Sequence, residues 1–335
     1  MQFEFLVPGL LDSPSAQRIR EYAPALATLL KRASVAKEPA SSLESWIARR
    51  FGCDANEENF PFAAVASRAD RNTDCAAKYW LRADPVHLSV NRDRIVLLDA
   101  SQLDVTAVES TALVASMQAH FESDALTFSA PHPRRWYIAS DKPFAIRTHC
   151  VSAVRGRNVA DYWFDGADRA LWQTRLSEMQ MLLHAHPVND AREAAGQLQI
   201  NGVWFWGEGE MPAGLKHPYV HIVADDVLLK GIASLTSSQF TDTHQFEWRK
   251  VTAAAPGTTL VALGQLADCA AYGEWDTWQN ALTTLDQNWF APALSALKIG
   301  KLKTLTICAP SKADGNTLTI NGIDLFKFWR RFHAT

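Results

Sequence analysis

Short apolar runs of strand length alternate with stretches of helical periodicity along most of this chain, and that alternation restricts the fold more than any other feature. Residues 3–7, 78–81, 95–98, 203–206, 219–223, 259–263 and 302–308 read as strands. Between them, one helical face carries Ile19, Tyr22, Leu26 and Leu29 from a start near Ser15. A second helix, 43–51, stops at Gly52, and a third runs from Asp104 with Val105, Val108, Ala112 and Ala115 inward. Asp225 is an N-cap candidate for Val227, Leu228, Ile232 and Leu235. A long helix over 273–297 aligns Trp275, Trp278, Leu282, Leu285 and Trp289, an aromatic stripe suited to a core. Buried strands joined by crossover helices build a mainly parallel sheet with helices on both faces.

Between residues 125 and 200 the texture changes. Short strand candidates at 126–128, 136–138 and 144–146 are separated by proline and polar turns, and an amphipathic helix follows with Leu171, Leu176, Met179 and Leu183. The reading is an α/β core of residues 1–124 and 201–335, interrupted by a smaller α+β subdomain over 125–200. A chain of 335 residues can bury such a core. A net charge of -3 gives no general attraction to nucleic acid or anionic membrane, and basic residues do not alternate with aromatics along a face. No run approaches the ~18 apolar residues of a membrane span, and the first eight residues lack the basic start of a signal peptide, so cytoplasm is the expected location. Cys53, Cys75, Cys150, Cys269 and Cys308 form no C-x-x-C pair, which points to reduced thiols and away from zinc or disulfides.

The densest chemistry lies between Leu182 and Pro212. Histidines, Asn189 and Arg192 surround a helix start, the aromatic run 203–206 follows, and Gly207-Glu208-Gly209 ends the run where the backbone turns or approaches something closely. The segment Asn201-Gly-Val-Trp-Phe-Trp-Gly-Glu-Gly-Glu-Met-Pro212, preceded by His186-Pro-Val-Asn189 and Arg192, resembles the N-x-x-W-x-W-G-x-G-x-x-P segment of archaeal-type cofactor-independent phosphoglycerate mutases, in the alkaline phosphatase superfamily. It is more similar to a bacterial family of phosphoglycerate-mutase-like proteins described as RpfE-type regulatory proteins, whose Tyr79-Trp-Leu-Arg-Ala-Asp-Pro-Val-His-Leu88 signature is also present. Asp226-Val-Leu-Leu-Lys-Gly-Ile-Ala233 continues the resemblance in order. It implies an alkaline-phosphatase-like α/β fold and a ligand site built from Arg82, Asp84, His87, Arg134, Arg135, Asn189, Arg192, Trp206, Gly207 and Gly209. Arginine forks suit phosphate and carboxylate because they donate two parallel hydrogen bonds. On the residues alone, Arg82 and Asp84 are equally an ion pair pinning a turn, and Arg134-Arg135 a solvated basic turn.

The mutases hold two divalent metals and a serine nucleophile, and here the matching positions depart. Their D-G-x-x-D falls on Pro8-Gly9-Leu10-Leu11-Asp12, and H-x-x-x-x-D-x-x-x-H falls on Leu263 to Tyr272, where Asp268 is the one ligand kept. Their D-H falls on Ala309-Pro310 or Pro310-Ser311. Ser67 and Ser89 are the nearest nucleophile candidates, and neither has the glycine-rich context. Asp12 and Asp268 are thus remnants, and no metal cofactor is expected; the alternative is a pair of Mn or Mg ions held elsewhere. Gly207-x-Gly209 lacks the third glycine of a dinucleotide fingerprint, with Pro212 in its place. The functional expectation is a diverged, catalytically inactive mutase-like protein that binds a small anionic metabolite, phosphorylated or carboxylate, or a protein partner in a regulatory role. The alternatives are an active metal-dependent mutase or phosphatase, and a scaffold acting through its surface without a small ligand.

Overall fold

The computed structural model describes residues 1–12, 16–52, 60–70, 77–91, 94–251, 256–311 and 315–326. Ser15, Cys53 and Cys75 lie outside them. The described strands are, in chain order, β1 (Gln2–Leu6), β2 (Ser34–Glu38), β3 (Tyr79–Asn91), β4 (Arg94–Leu98), β5 (Thr127–His132), β6 (Arg135–Ser140), β7 (Gly202–Glu210), β8 (His221–Val223), β9 (Gln239–Thr241), β10 (Thr258–Ala262), β11 (Thr304–Ala309) and β12 (Gly315–Asn321). Two compact units divide them: Met1–Phe51 with Lys216–Thr335, and Gly52–Leu215.

The first unit is the α/β sheet that the alternation requires. Its order is β2-β12-β11-β1-β10-β8-β9. Strands β11, β1, β10, β8 and β9 run parallel, and β12 and β2 add antiparallel pairings at one edge. Phe3, Phe5 and Val7 share a core with Leu26, Leu29 and Leu30 of the helix Pro24–Arg32 and with Trp278, Leu282, Phe290 and Leu294. Glu4, alternating to the other face of β1, pairs with Arg50 of the helix Leu43–Phe51, whose Nε donates to the Tyr219 hydroxyl at 2.8 Å. Burial and the neighbouring Glu4 carboxylate push the Cys308 thiol up to about 12, so it stays protonated.

The helix expected over 273–297 is interrupted. Trp275–Leu285 widens into a π turn, Asp286–Phe290, and tightens again as Ala291–Lys298. The widened turn has a use. The helix Pro24–Arg32 starts after Ala23, which has no side-chain acceptor for its exposed N–H groups. Asp286 provides one from a distant part of the chain, accepting from Ala25 N at 3.1 Å and Leu26 N at 2.8 Å.

The second unit is antiparallel. The long strand β3 pairs with β4, β6 and β7, and β5 adds to β6. Leu81, Ala83, Val203 and Phe205 pack in one cluster with Leu113 and Met117 of the helix Ala107–His120 and Leu176 and Met179 of the helix Arg169–His184. The other face meets the helix Phe62–Asp70, with Phe62 and Trp206 ring centroids 6.0 Å apart. Strands covered on both faces read as continuous apolar runs whether parallel or antiparallel. Residues 78–81 and 203–206 therefore look like strands of the parallel core, yet they fall on β3 and β7, which pair antiparallel with each other here. The interrupting unit consequently spans 52–215, not 125–200.

Two local details also differ. The helix expected from Asp104 begins at Ala107, because Thr106 and Glu109 form a capping box, and Val108 is 81% exposed while Ser110, Leu113, Val114 and Met117 face inward. Asp226, not Asp225, caps the helix Val227–Thr236; Asp225 accepts from Thr243 N instead. Among the described residues no helix is long and apolar enough to cross a membrane.

Removing the distant cap should be felt globally. Asp286→Ala is expected to lower unfolding free energy by about 1–2 kcal/mol, read as a shifted urea midpoint with an unchanged slope.

Candidate functional site

Register brings three strands together around one charge. Tyr137 on β6 and Trp206 on β7 both stand directly opposite Arg82 on β3. The Arg82 guanidinium carbon lies 5.0 Å from the Tyr137 ring centroid and 4.9 Å from that of Trp206. Two residues along the same face, Asp84 takes a two-pronged contact from Arg82, with Nε and Nη2 donating at 2.8 and 2.7 Å. Trp206 Nε1 donates to the same carboxylate at 2.8 Å, and Trp136 N at 3.2 Å. Arg82 and Asp84 are 4% and 5% exposed. Burial opposes the Arg82 charge, but the Asp84 carboxylate and its hydrogen bonds outweigh that and hold the guanidinium above its ordinary value.

A second pair adjoins the first. The Tyr137 hydroxyl donates to Asp70 Oδ2 at 2.6 Å, and Arg135 forks onto both Asp70 oxygens at 2.7 Å. Burial alone would raise the Asp70 carboxyl, but Arg135 and Tyr137 together hold it below the ordinary carboxylate range.

The other expected site residues sit apart from this network. Arg192 is buried: its Nε donates to Leu198 O, one terminal nitrogen to Glu109 and the other to Leu103 O. Asn189 is wholly buried, donating to Leu183 O and Ile200 O and accepting from Ile200 N. These two side chains fasten the helix Pro187–Ala194 to its surroundings. His87 donates from Nδ1 to Gln199 O at 2.8 Å. Arg134 is exposed in the turn between β5 and β6, with its backbone N–H donating to His132.

Gly207 and Gly209 do not end β7, which continues to Glu210 through a register shift opposite Trp80 and Arg82. Both have positive φ, and a Cβ would lie 2.8 Å from Phe62 at Gly207 and 2.7 Å from Pro61 at Gly209. The glycine signal for close approach holds, and what approaches is the protein's own chain.

The turn after β1, at one of the carboxyl strand ends where an open α/β sheet usually forms its ligand crevice, is closely packed. Gly9, at φ +80°, lies so near Leu266 that a Cβ would stand 2.6 Å from the Leu266 carbonyl oxygen. Trp278 Nε1 donates to Gly9 O at 3.0 Å, and Leu10, Leu266 and Trp278 are fully buried. Asp12 accepts from the Ser311 hydroxyl at 2.7 Å, while Asp268 is exposed on the helix Gln265–Tyr272. Of the nucleophile candidates, Ser67 is buried and donates to Ala64 O within its own helix. Proline, glycine and alanine at these strand ends do not fit a two-metal centre, and no group of three or more metal-binding side chains is found among the described residues.

A cleft of about 110 Å³ lies in the second unit, lined by Phe60, Phe62, Thr148, His149, Cys150, Ala153, Gly207 and Glu208. Gly207 and Glu208 fall in the Asn201–Pro212 motif and Cys150 is one of the scattered thiols, while the other lining residues carry no signal in the sequence. The Thr148 hydroxyl accepts from Gly207 N at 3.1 Å and donates to the Glu208 carboxylate. His149 meets Tyr162 edge to face at 5.6 Å, and its carbonyl accepts from Trp204 Nε1. This is an acceptor-rich recess with aromatic walls.

No protein-family model matches the chain, and no curated protein matches it. Two solved structures are similar over nearly its whole length. The PH0037 protein from Pyrococcus horikoshii aligns with a TM-score of 0.54 and 13% identity, covering 96% of this chain and 87% of that one. A cofactor-independent phosphoglycerate mutase from Thermoplasma acidophilum aligns with a TM-score of 0.46 and 15% identity, covering 96% and 89%. The first of these shows a shared fold.

Breaking the central pair leaves a buried guanidinium uncompensated. Asp84→Ala should cost about 3–5 kcal/mol, measured by chemical denaturation. The Asp70 pair gives a pH signature. Its folded value lies below the unfolded one of about 3.9, so its contribution is complete above that range and is lost as pH falls through the folded value. Asp70→Asn should flatten the stability profile in that acid window while leaving its shape at neutral pH unchanged.

Proposed function

We propose that this protein is a non-catalytic relative of the phosphoglycerate mutases that acts as a regulatory binding protein, with the cleft at Thr148 and Glu208 as its ligand-contacting surface. The observation that carries this reading is the closed packing after β1. Pro8 and Gly9 occupy a strand end where the mutase motif has an aspartate, and Leu266 and Trp278 fill the space. The sequence motifs at Tyr79–Leu88 and Asn201–Pro212 support kinship with the mutase-like proteins. Arg82, Arg135 and Arg192 already hold carboxylates of their own unit. That leaves the exposed Arg134 as the weak remainder of an anion site, so the cleft is the better candidate surface.

The direct test supplies 3-phosphoglycerate and Mn²⁺ to the purified chain and follows interconversion with 2-phosphoglycerate. No turnover is expected. Turnover that stops on adding a chelator would overturn the non-catalytic reading.

A further inference from the structure

We infer that the turn joining β5 to β6 is a latch that acid opens, with the ring of His132 as its acid-sensitive part. Pro133 has no N–H, so the first donor within the turn is Arg134 N, which donates to His132 Nδ1 at 3.1 Å. A neutral imidazole has one nitrogen that donates and one that accepts, so Nδ1 holds this bond only while the ring proton sits on Nε2. A proton arriving at Nδ1 turns the acceptor into a second donor. The bond from Arg134 then ends, and a third positive charge enters a turn that already carries Arg134 and Arg135.

The rest of the turn is fixed independently of the ring. Pro133 O accepts from Ser110 Oγ at 2.7 Å and from Trp136 Nε1 at 3.1 Å. Arg135, the cross-strand partner of His132, is held by its fork onto Asp70. Opening is therefore confined to the contact between His132 and Arg134. Among the described residues, the charged groups acting on the ring are Arg134 and Arg135 of its own hairpin, Arg82 of β3 and Asp70 of the helix Phe62–Asp70. The three arginines oppose a further proton. Asp70 favours one, but its carboxylate already accepts from Arg135 and Tyr137. Burial, and next Arg135, hold His132 below its ordinary value. With the folded value below the unfolded one of about 6.5, the stability contribution is complete above that pH. It is lost as pH falls from the unfolded value through the folded one.

NMR on the full chain tests the latch by following the His132 ring and the Arg134 amide from about pH 8 to about 4.5, a range that covers histidine titration. At the upper end the ring nitrogens should report a neutral ring with its proton on Nε2. As the ring titrates, Arg134 amide exchange, corrected for its intrinsic pH dependence, should become about tenfold faster, as expected for one lost hydrogen bond. His132→Asn supplies an oxygen that accepts from the same N–H and takes up no proton, so its Arg134 amide should stay protected throughout. The difference between the two proteins' stability profiles cancels the other histidines, among them His221 of β8, which burial also holds low. A neutral ring with its proton on Nδ1, or no ring titration in this range, would overturn the latch. So would Arg134 protection that ignores the titration, or an equal loss of protection in His132→Asn. The ring measurements need no variant and decide the question if His132→Asn fails to fold.

Discussion

A buried guanidinium in the middle of a sheet sets the terms for everything around it. Taking such a charge out of water costs several kcal/mol unless a counter-charge and hydrogen bonds are waiting. In the second unit those requirements select residues on three strands at once. Asp84 falls on the same face as Arg82 because side chains alternate along β3. Tyr137 and Trp206 fall beside it because they are its directly opposed partners. A one-residue slip of either neighbour would turn the flanking ring to the opposite face and leave the charge uncovered. The pair therefore fixes the register of β6 and β7 on β3. Through Tyr137 it also reaches Asp70 and Arg135, so that two positive and two negative side chains balance in one network.

The same network explains how much of the site was legible. Arg82-x-Asp84 shows in the sequence as a spaced ion pair, and that spacing is compatible with a displayed loop or a buried strand. The choice depends on Tyr137 and Trp206, which only the register brings near. Asn189 and Arg192 stood out as chemistry around a helix start, and they turn out to satisfy carbonyl groups that would otherwise be left unpaired. The cleft was nearly invisible beforehand. Glu208 falls at a variable position of the Asn201–Pro212 motif and Thr148 lies outside any motif, and it is their mutual contact that marks them.

The fold was more readable than the site. The strands expected at 3–7, 259–263 and 302–308 are β1, β10 and β11, adjacent and parallel, because β-branched and aromatic runs between helices leave few other arrangements. What the pattern could not separate was a doubly covered antiparallel strand from a parallel one. Both are apolar on both faces, so β7 reads as core sheet, and the boundaries were expected at 124/125 and 200/201 where the structure divides at 51/52 and 215/216. The widened turn at Asp286 was hidden as well. What it serves is a helix start at Ala23 that has no capping side chain of its own, far away in the sequence.

That borrowed cap, and the position of β1 between β10 and β11, bear on how the chain is made. A ribosome releases residues 1–51 first, yet the partners of β1 and the carboxylate that completes the helix Pro24–Arg32 emerge only after the intervening segment. The segment 52–215, continuous in sequence, finds its strand partners within itself and can close while the remainder is still being synthesised. The amino-terminal segment must wait with Phe3, Phe5 and Val7 unburied, and its docking closes a long loop at an entropic cost. Chaperone dependence should therefore track the delay before residues 258–309 are synthesised.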